Sequence, residues 1–351
     1  MRENLPLVSI CIPNYNYGHY LRNCFDSILA QTYPNIEVIF NDNNSSDDSF
    51  EIAMEYYHIF KEEGIYLSIH NNKHNYGSNK NTNFCLEQCS GDFSYILASD
   101  DSIEPTFVEK CISVFNKYPT VAMVMTHRNE VDEHGNIVKT PSFYNRNCII
   151  KSEDQAAVFM MAGIAIPGQR MMRASMLNPI INYKRAFHVA GDWYDNFLCS
   201  MCGDVAYITE PLCNYRVHSG NETNESEKNL LGIFEHYQLV NAFVDISRNF
   251  GMTKPATRYQ EAVEKLGLMC LRYAFKMFQN DLNKTAHRYL LLAPVLKEDI
   301  GKDKIYRCLL ECVDLKGDEL KKRLQEIQGK TSFGRVQSYD PPDEFIPLNI
   351  G

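Results

Sequence analysis

Asp100-Asp101 sets two adjacent carboxylates directly after the apolar segment Phe93–Leu97. Carboxylates left unpaired at such a place are costly. A hard divalent cation shared with a diphosphate would offset that cost, because Mg²⁺ and Mn²⁺ take oxygen ligands. The structural alternative is a helix cap before Pro105. Asp42 also closes an apolar segment, Ile36–Phe40, and there a capping role competes with a binding one. Gly191-Asp192-Trp193-Tyr194-Asp195 places two acids beside the only tryptophan. A carboxylate partly desolvated by aromatic surface gains basicity and can take a proton from a hydroxyl. Against that stands a plain helix start with Asp192 near the N-terminal dipole. Asn75-Tyr76-Gly77 with Lys80, Asn81 and Asn83 reads either as the lining of a polar cleft or as a turn and helix cap. In Tyr215-Arg216-Val217-His218, Arg216 or His218 could meet a phosphate or a metal, or simply end a surface strand.

The elements that would carry these residues alternate. Apolar strands are expected at 8–12, 36–40, 65–69, 93–97 and 121–125, and helices at 20–29, 50–60, 81–88 and 106–117. Repeated strand–helix units imply a largely parallel sheet covered on both faces. Ligands of such sheets sit beyond the carboxyl ends of the strands. The polar loops that begin at Pro13, Asn41 and Ser99 all fall at those ends. Residues 126–220 are more mixed. After the polar run 219–224 the pattern turns helical, with candidates at 227–249, 256–279, 283–296, 303–313 and 317–327. The expected organisation is a domain over 1–222, a helical domain over 223–330 and an extended tail over 331–351.

The 351 residues suffice for two domains, and 44% hydrophobic with 23% charged is an ordinary globular mixture. A net charge of -9 argues against general nucleic-acid binding. It does not oppose a small anionic ligand, because a bound divalent ion reverses the local sign. The start of the chain lacks the form of a secretory signal, and no apolar run approaches the roughly 18 residues of a membrane span. Tyr289–Leu296 is the most apolar late segment, and it contains Pro294. Twelve cysteines are scattered, with Cys199 and Cys202 as a lone C-x-x-C, so reduced buried thiols are expected rather than a zinc site.

Taken in order, these strings resemble the family-2 inverting glycosyltransferases of the GT-A fold. The likeness runs from Val8–Asn16 through Ser27–Ile39, Asn41–Asp47, Asn75–Asn83, Gly91-Asp92-Phe93, Ala98–Asp101 and Gly191-Asp192 to Tyr215–His218. It covers roughly residues 6–220. The fold it implies is a mostly parallel, Rossmann-like α/β sheet flanked by helices, followed by a C-terminal helical region. By the same resemblance Pro13 and Tyr15 line the nucleotide base beside Asn16, and Asp42 accepts a base N–H, usually of uracil or thymine. Asp100 contacts ribose or sugar, Asp101 is the metal ligand of the D-x-D signature, and His218 supports metal or diphosphate. Asp192 is the catalytic base, and Asn75 and Lys80 join the donor side. Four positions depart from the family pattern. Asn43 stands where a second acid is common, and Thr82 where an arginine is, which leaves Lys80 to supply the charge. Ala98 replaces the first acid of the longer signature. Gly191 replaces the usual glutamate, which makes Asp195 a rival base.

The expected activity is transfer of a sugar from a nucleotide-diphosphate donor, UDP- or dTDP-linked, to an acceptor hydroxyl by single displacement with Mn²⁺ or Mg²⁺. The acceptor would be a glycan or lipid-linked glycan of a bacterial surface polymer. Processive synthases carry several membrane spans and a Q-x-x-R-W string after the base. Gln169-Arg170-Met171-Met172-Arg173 lies before Asp192 and lacks tryptophan, so a single-transfer enzyme is expected. The rival classes are a nucleotidyltransferase, which would want a glycine-rich basic loop after the first strand, and an inactive sugar-nucleotide-binding scaffold. The expected location is the cytoplasm, with the inner membrane face open. The helical region could hold the acceptor, form a homodimer or touch a membrane through Lys316, Lys321, Lys322 and Arg323.

Overall fold

A computed structural model describes residues 5–176, 187, 190–218, 226–331 and 338–350. The strands are β1 (Val8–Asn14), β2 (Ile36–Asp42), β3 (Tyr66–Asn71), β4 (Phe93–Ile96), β5 (Ser102–Ile103), β6 (Val121–Val131), β7 (Ile137–Lys139), β8 (Cys148–Ile150), β9 (Arg170–Arg173), β10 (Asp204–Arg216) and β11 (Ile346–Pro347). The sheet runs in the order β11-β8-β10-β6-β9-β4-β1-β2-β3, with β5 on β10 and β7 on β6. Strands β1 to β4 are mutually parallel, and β6 is parallel to β10. β9 runs antiparallel between β4 and β6. Every residue of β2 is buried, as a central parallel strand covered on both faces requires. Its one glutamate, Glu37, is satisfied by the Ser9 hydroxyl at 2.5 Å and by the Ser90 amide and hydroxyl at 2.8 Å.

Helices α1 (Gly18–Leu29), α2 (Ser49–Glu62) and α4 (Phe107–Lys117) cover one face, and α3 (Ser78–Glu87), α5 (Ser152–Phe159) and α6 (Gly191–Met201) the other. In α1 the buried Leu21, Cys24, Phe25 and Ile28 form one helical stripe, and the Phe25 ring lies 5.7 Å from Phe40 and 5.6 Å from Phe60. The later helices are α7 (Leu231–Asn249), α8 (Lys254–Thr257), α9 (Tyr259–Gln279), α10 (Asn283–Leu296), α11 (Lys304–Glu311) and α12 (Gly317–Gln328). They share an apolar cluster with one face of the sheet, and Phe197 of α6 stacks on Phe243 of α7 at 3.8 Å. The boundary expected near 222 lies outside the described residues. In the described part of the tail Asp343 and Glu344 form a turn, β11 adds to β8, and Leu348 is buried. All twelve cysteines are reduced, and the Cys11 and Cys89 sulfurs are 3.2 Å apart.

Candidate active site

The carboxyl ends of β1 and β2 lie side by side, with Asn14 in register with Asp42. Asp42 is 1% exposed and organises both loops. Its Oδ1 accepts from Asn14 Nδ2 at 2.8 Å and from the Ser45 hydroxyl at 2.5 Å, and its Oδ2 accepts from the Ser45 amide at 2.8 Å. Asn16, at φ 57°, donates its amide to Ser45 Oγ and accepts from the Ser46 amide, both at 2.8 Å. This left-handed turn leaves Tyr15 exposed and Pro13 half-buried at the rim. A layer of amides lies alongside. Asn81 donates to the carbonyls of Asn14 and Asn41 at 3.2 Å, while Asn43 donates to Asn75 Oδ1 at 2.7 Å and accepts from Asn72 at 2.9 Å. Lys80 is exposed on α3.

Asp100 and Asp101 follow β4, both buried. Asp101 Oδ1 accepts the Arg216 amide at 2.9 Å, and His218 Nε2 lies 3.0 Å from Asp100 Oδ2. Arg216 fastens the pair to its surroundings. Its Nε donates to the Asp100 carbonyl at 2.8 Å, Nη1 to the carbonyls of Asp132 and Glu133 at 2.9 and 3.1 Å, and Nη2 to Asn23 Oδ1 at 3.0 Å. The guanidinium also lies 4.6 Å from the Tyr20 ring centre. It is therefore spent on protein acceptors and is not free for a phosphate. Burial pushes the Asp101 carboxyl well above the usual range and the Asp100 charge adds to this, while the Arg216 amide and the Arg216 and Arg128 charges oppose it. Desolvated carboxylates that repel each other gain from a hard cation, so the donor set fits Mn²⁺ or Mg²⁺. Among the described residues no three acidic, histidine or cysteine side chains close around an ion. Further ligands would then come from elsewhere, such as phosphate oxygens or water.

Asp192 lies in the first turn of α6, half-buried, and its side chain has no hydrogen-bond partner among the described residues. Asp195 is different: it is 1% exposed and ion-paired with Arg170 Nη2 at 3.1 Å. Arg170 Nη1 also reaches the Asp192 carbonyl at 3.0 Å and Asn196 Oδ1. One helical turn thus sends the two acids of 191–195 to opposite fates, and only Asp192 remains open.

Tyr215 brings the acids together. Its phenol is pushed up by burial first, then by the charges of Asp101, Asp100 and Asp192, with Arg128 opposing. The adjacent pair Asp100-Asp101 and the distant Asp192 therefore bear on one side chain. The Arg128 guanidinium lies 5.5 Å from the Tyr215 ring centre and is held by Gln169 at 2.7 Å and Glu130 at 2.9 Å. Asp42 is joined to this group through the first loop, whose Tyr17 ring lies 5.5 Å from His218. Arg128, Gln169 and Arg170 carry no local motif. Their positions depend on β9 inserting between β4 and β6, which spacing in the sequence does not announce.

The Glycosyl transferase family 2 model matches residues 9–180. The chain is 29% identical over 285 residues to chondroitin synthase of Escherichia coli, covering 80% of this chain and 38% of that protein. It thus spans well under half the length of that relative. An uncharacterized glycosyltransferase of Rickettsia prowazekii (strain Madrid E) is 26% identical over 236 residues, covering 64% of this chain and 69% of that one. Among solved structures, S. aureus TarS 1–349 in complex with UDP-GlcNAc aligns with a TM-score of 0.54 at 16% identity, covering 87% and 90% of the two chains. Mannosyltransferase PcManGT from Pyrobaculum calidifontis, in complex with GDP-Man and Mn²⁺, aligns at 0.50 and 17%, covering 95% and 89%. At such identities the structural likeness speaks for the fold, while the sequence match speaks for descent. The match places residues 9–180 in glycosyl transferase family 2, and the chain has the GT-A fold.

Proposed function

We propose that this chain transfers a sugar from a nucleotide-diphosphate donor to an acceptor hydroxyl with inversion, one sugar at a time, in the synthesis of a surface glycan. The observation that carries the reading is that Asp100, Asp101 and His218 meet where β4 and β10 end, while Asp192 keeps a half-buried carboxylate with no hydrogen-bond partner among the described residues. A divalent cation at Asp101, with Asp100 and His218 beside it, would supply Lewis-acid stabilisation of the departing diphosphate. Asp192 takes the proton of the acceptor hydroxyl as its oxygen bonds to the anomeric carbon and the bond to the diphosphate oxygen breaks. The rim of Pro13, Tyr15 and Asn16, with Asn75 and Lys80 opposite, receives base and ribose. Asp42 acts from beneath by fixing that turn; its Oδ2 keeps one acceptor position, but at 1% exposure a direct contact with a base N–H would require the turn above it to move. UDP-linked donors are favoured because TarS, which shares the fold, binds UDP-GlcNAc. The polysaccharide synthase among the sequence relatives supports a glycan acceptor.

The test is nucleoside diphosphate release and acceptor-dependent turnover with UDP-sugars and Mn²⁺, alongside calorimetric UDP binding. Asp192→Asn is expected to lose turnover by about 10²–10⁴-fold, the range of general-base contributions, with UDP binding near normal. Asp101→Ala is expected to lose the Mn²⁺-dependent part of UDP binding. Unchanged turnover in the first variant, or unchanged binding in the second, would defeat the reading.

A further inference from the structure

The exposed face of α10 is built for an anionic surface. Helical spacing puts Lys284, Arg288, Leu291 and Val295 in one stripe with His287 beside it, while Ala286, Tyr289, Leu290, Ala293 and Leu296 are buried on the opposite side. Leu291 is 60% exposed and Val295 77%, the latter the most exposed large apolar side chain among the described residues. Leu268 of α9 and Leu310 of α11 are exposed on the flanking helices. Tyr306 of α11 donates its hydroxyl to the Leu290 carbonyl at 3.3 Å, the carbonyl that Pro294 cannot use, so the stripe rests on a fixed frame.

The charges on this face are not explained from within the chain. No acid occurs in Asn283–Leu296, although the whole chain carries 44 Asp and Glu. Lys284 lies in the first turn, where the helix dipole disfavours a cation, and Arg288 follows one turn later with His287 beside it. None of the three forms an ion pair among the described residues. Some other cations of the helical region are paired: Lys297 with Glu264 at 3.0 Å and Asp299 at 2.8 Å, and Arg323 with Glu326 at 2.8 Å and with Glu311. In the basic stretch 316–323 that the sequence pointed to, Arg323 is neutralised while Lys316, Lys321 and Lys322 stay exposed without an ion pair among the described residues, so what sets α10 apart is that its cations share a stripe with exposed apolar side chains. Next to Lys284 a cavity of about 510 Å³ opens between the starts of α10 and α12, with Lys316 on its far wall and Asp281 at its edge.

We infer that the α10 stripe docks the protein on an anionic lipid bilayer, with Lys284, His287 and Arg288 at the level of the phosphates and Leu291 and Val295 entering the interface. A bilayer supplies both parts of this chemistry at once. An acidic protein partner would satisfy the cations but leaves the outward Leu291 and Val295 without a stated cover. No described helix is long and apolar enough to cross a membrane, so this contact is peripheral. With a net charge of -9 the protein as a whole is repelled, and attraction must come from this stripe. The inference does not depend on the reading of the active site.

The experiment is co-sedimentation of the full chain with vesicles of phosphatidylcholine alone and with added phosphatidylglycerol. Binding is expected only to the anionic vesicles and is expected to vanish near 1 M salt, where screening acts within about 3 Å. Lys284→Gln with Arg288→Gln should lower partitioning about 30-fold, from about 1 kcal/mol per cation. Leu291→Ser with Val295→Ser should lower it as well, with thermal midpoints of both pairs near that of the parent. Asp192→Asn should bind vesicles like the parent, which separates this inference from the catalytic one. Failure to bind anionic vesicles, retention of full binding in either pair, or equal capture by soluble polyglutamate would overturn it.

Discussion

At the scale of single residues, the site is defined by what each carboxylate is already bonded to. Asp195 and Asp192 stand three apart, yet Asp195 is closed off by Arg170 and Asp192 is open. Removing one partner of a buried pair leaves an unpaired charge. Asp195→Ala is therefore expected to lower unfolding free energy in urea by about 3–5 kcal/mol. The open Asp192→Asn should leave it near the parent value, and equal losses in the two would refute the distinction. The identity of the acids was legible in the sequence because each follows an apolar strand or opens a helix. Their state of bonding was not, because the Arg170 that decides between them arrives on β9 from a segment without periodicity. Asp42 was legible as a strand-end acid, but its commitment to Asn14 and Ser45 depends on the register of β1 and β2.

At the scale of elements, Arg216 is the residue on which several parts meet. It ties the end of β10 to the loop after β4, to the turn between β6 and β7, and to α1. Arg216→Lys keeps the charge but offers one nitrogen in place of a planar fork, so the acceptors at Asp100, Asp132, Glu133 and Asn23 cannot all be satisfied. The expected outcome is a lower thermal midpoint and weaker Mn²⁺-dependent UDP binding, with Arg216→Met worse in both. A lysine variant that bound UDP like the parent would show that the fork is not needed. The strand–helix units of the first half were readable because parallel strands are uninterrupted apolar runs, as in β2. β10 was hidden because its thirteen residues mix Pro211, Asn214 and Glu210 with apolar positions and carry register shifts against β6. The late helices α9 and α10 were readable from their 3.6-residue spacing.

At the scale of the whole molecule, one apolar cluster joins the sheet to the helical region, so stability and site geometry are shared across the chain. Two histidines packed against it, His127 on Tyr207 and His236 on Trp193, make this pH-dependent. Burial pushes His127 and His236 down to about 4, and each has an Nδ1 without a partner. The folded state therefore refuses protons that the unfolded chain accepts near its ordinary value of about 6.5. Stability is full above that value and is lost as pH falls from about 6.5 towards 4. The thermal midpoint should fall across that window, and His236→Phe should fall less steeply; parallel curves would show that His236 does not contribute. The central claim is that the acids of separate loops surround one donor cleft. The most direct measurement is the anomalous difference map of a crystal grown with UDP and Mn²⁺. The account predicts a manganese peak at the Asp101 carboxylate beside Asp100 and His218, the base at Tyr15, and the Asp192 side chain facing the diphosphate. Nucleotide and manganese bound away from Asp101, or Asp192 turned from the diphosphate, would contradict it.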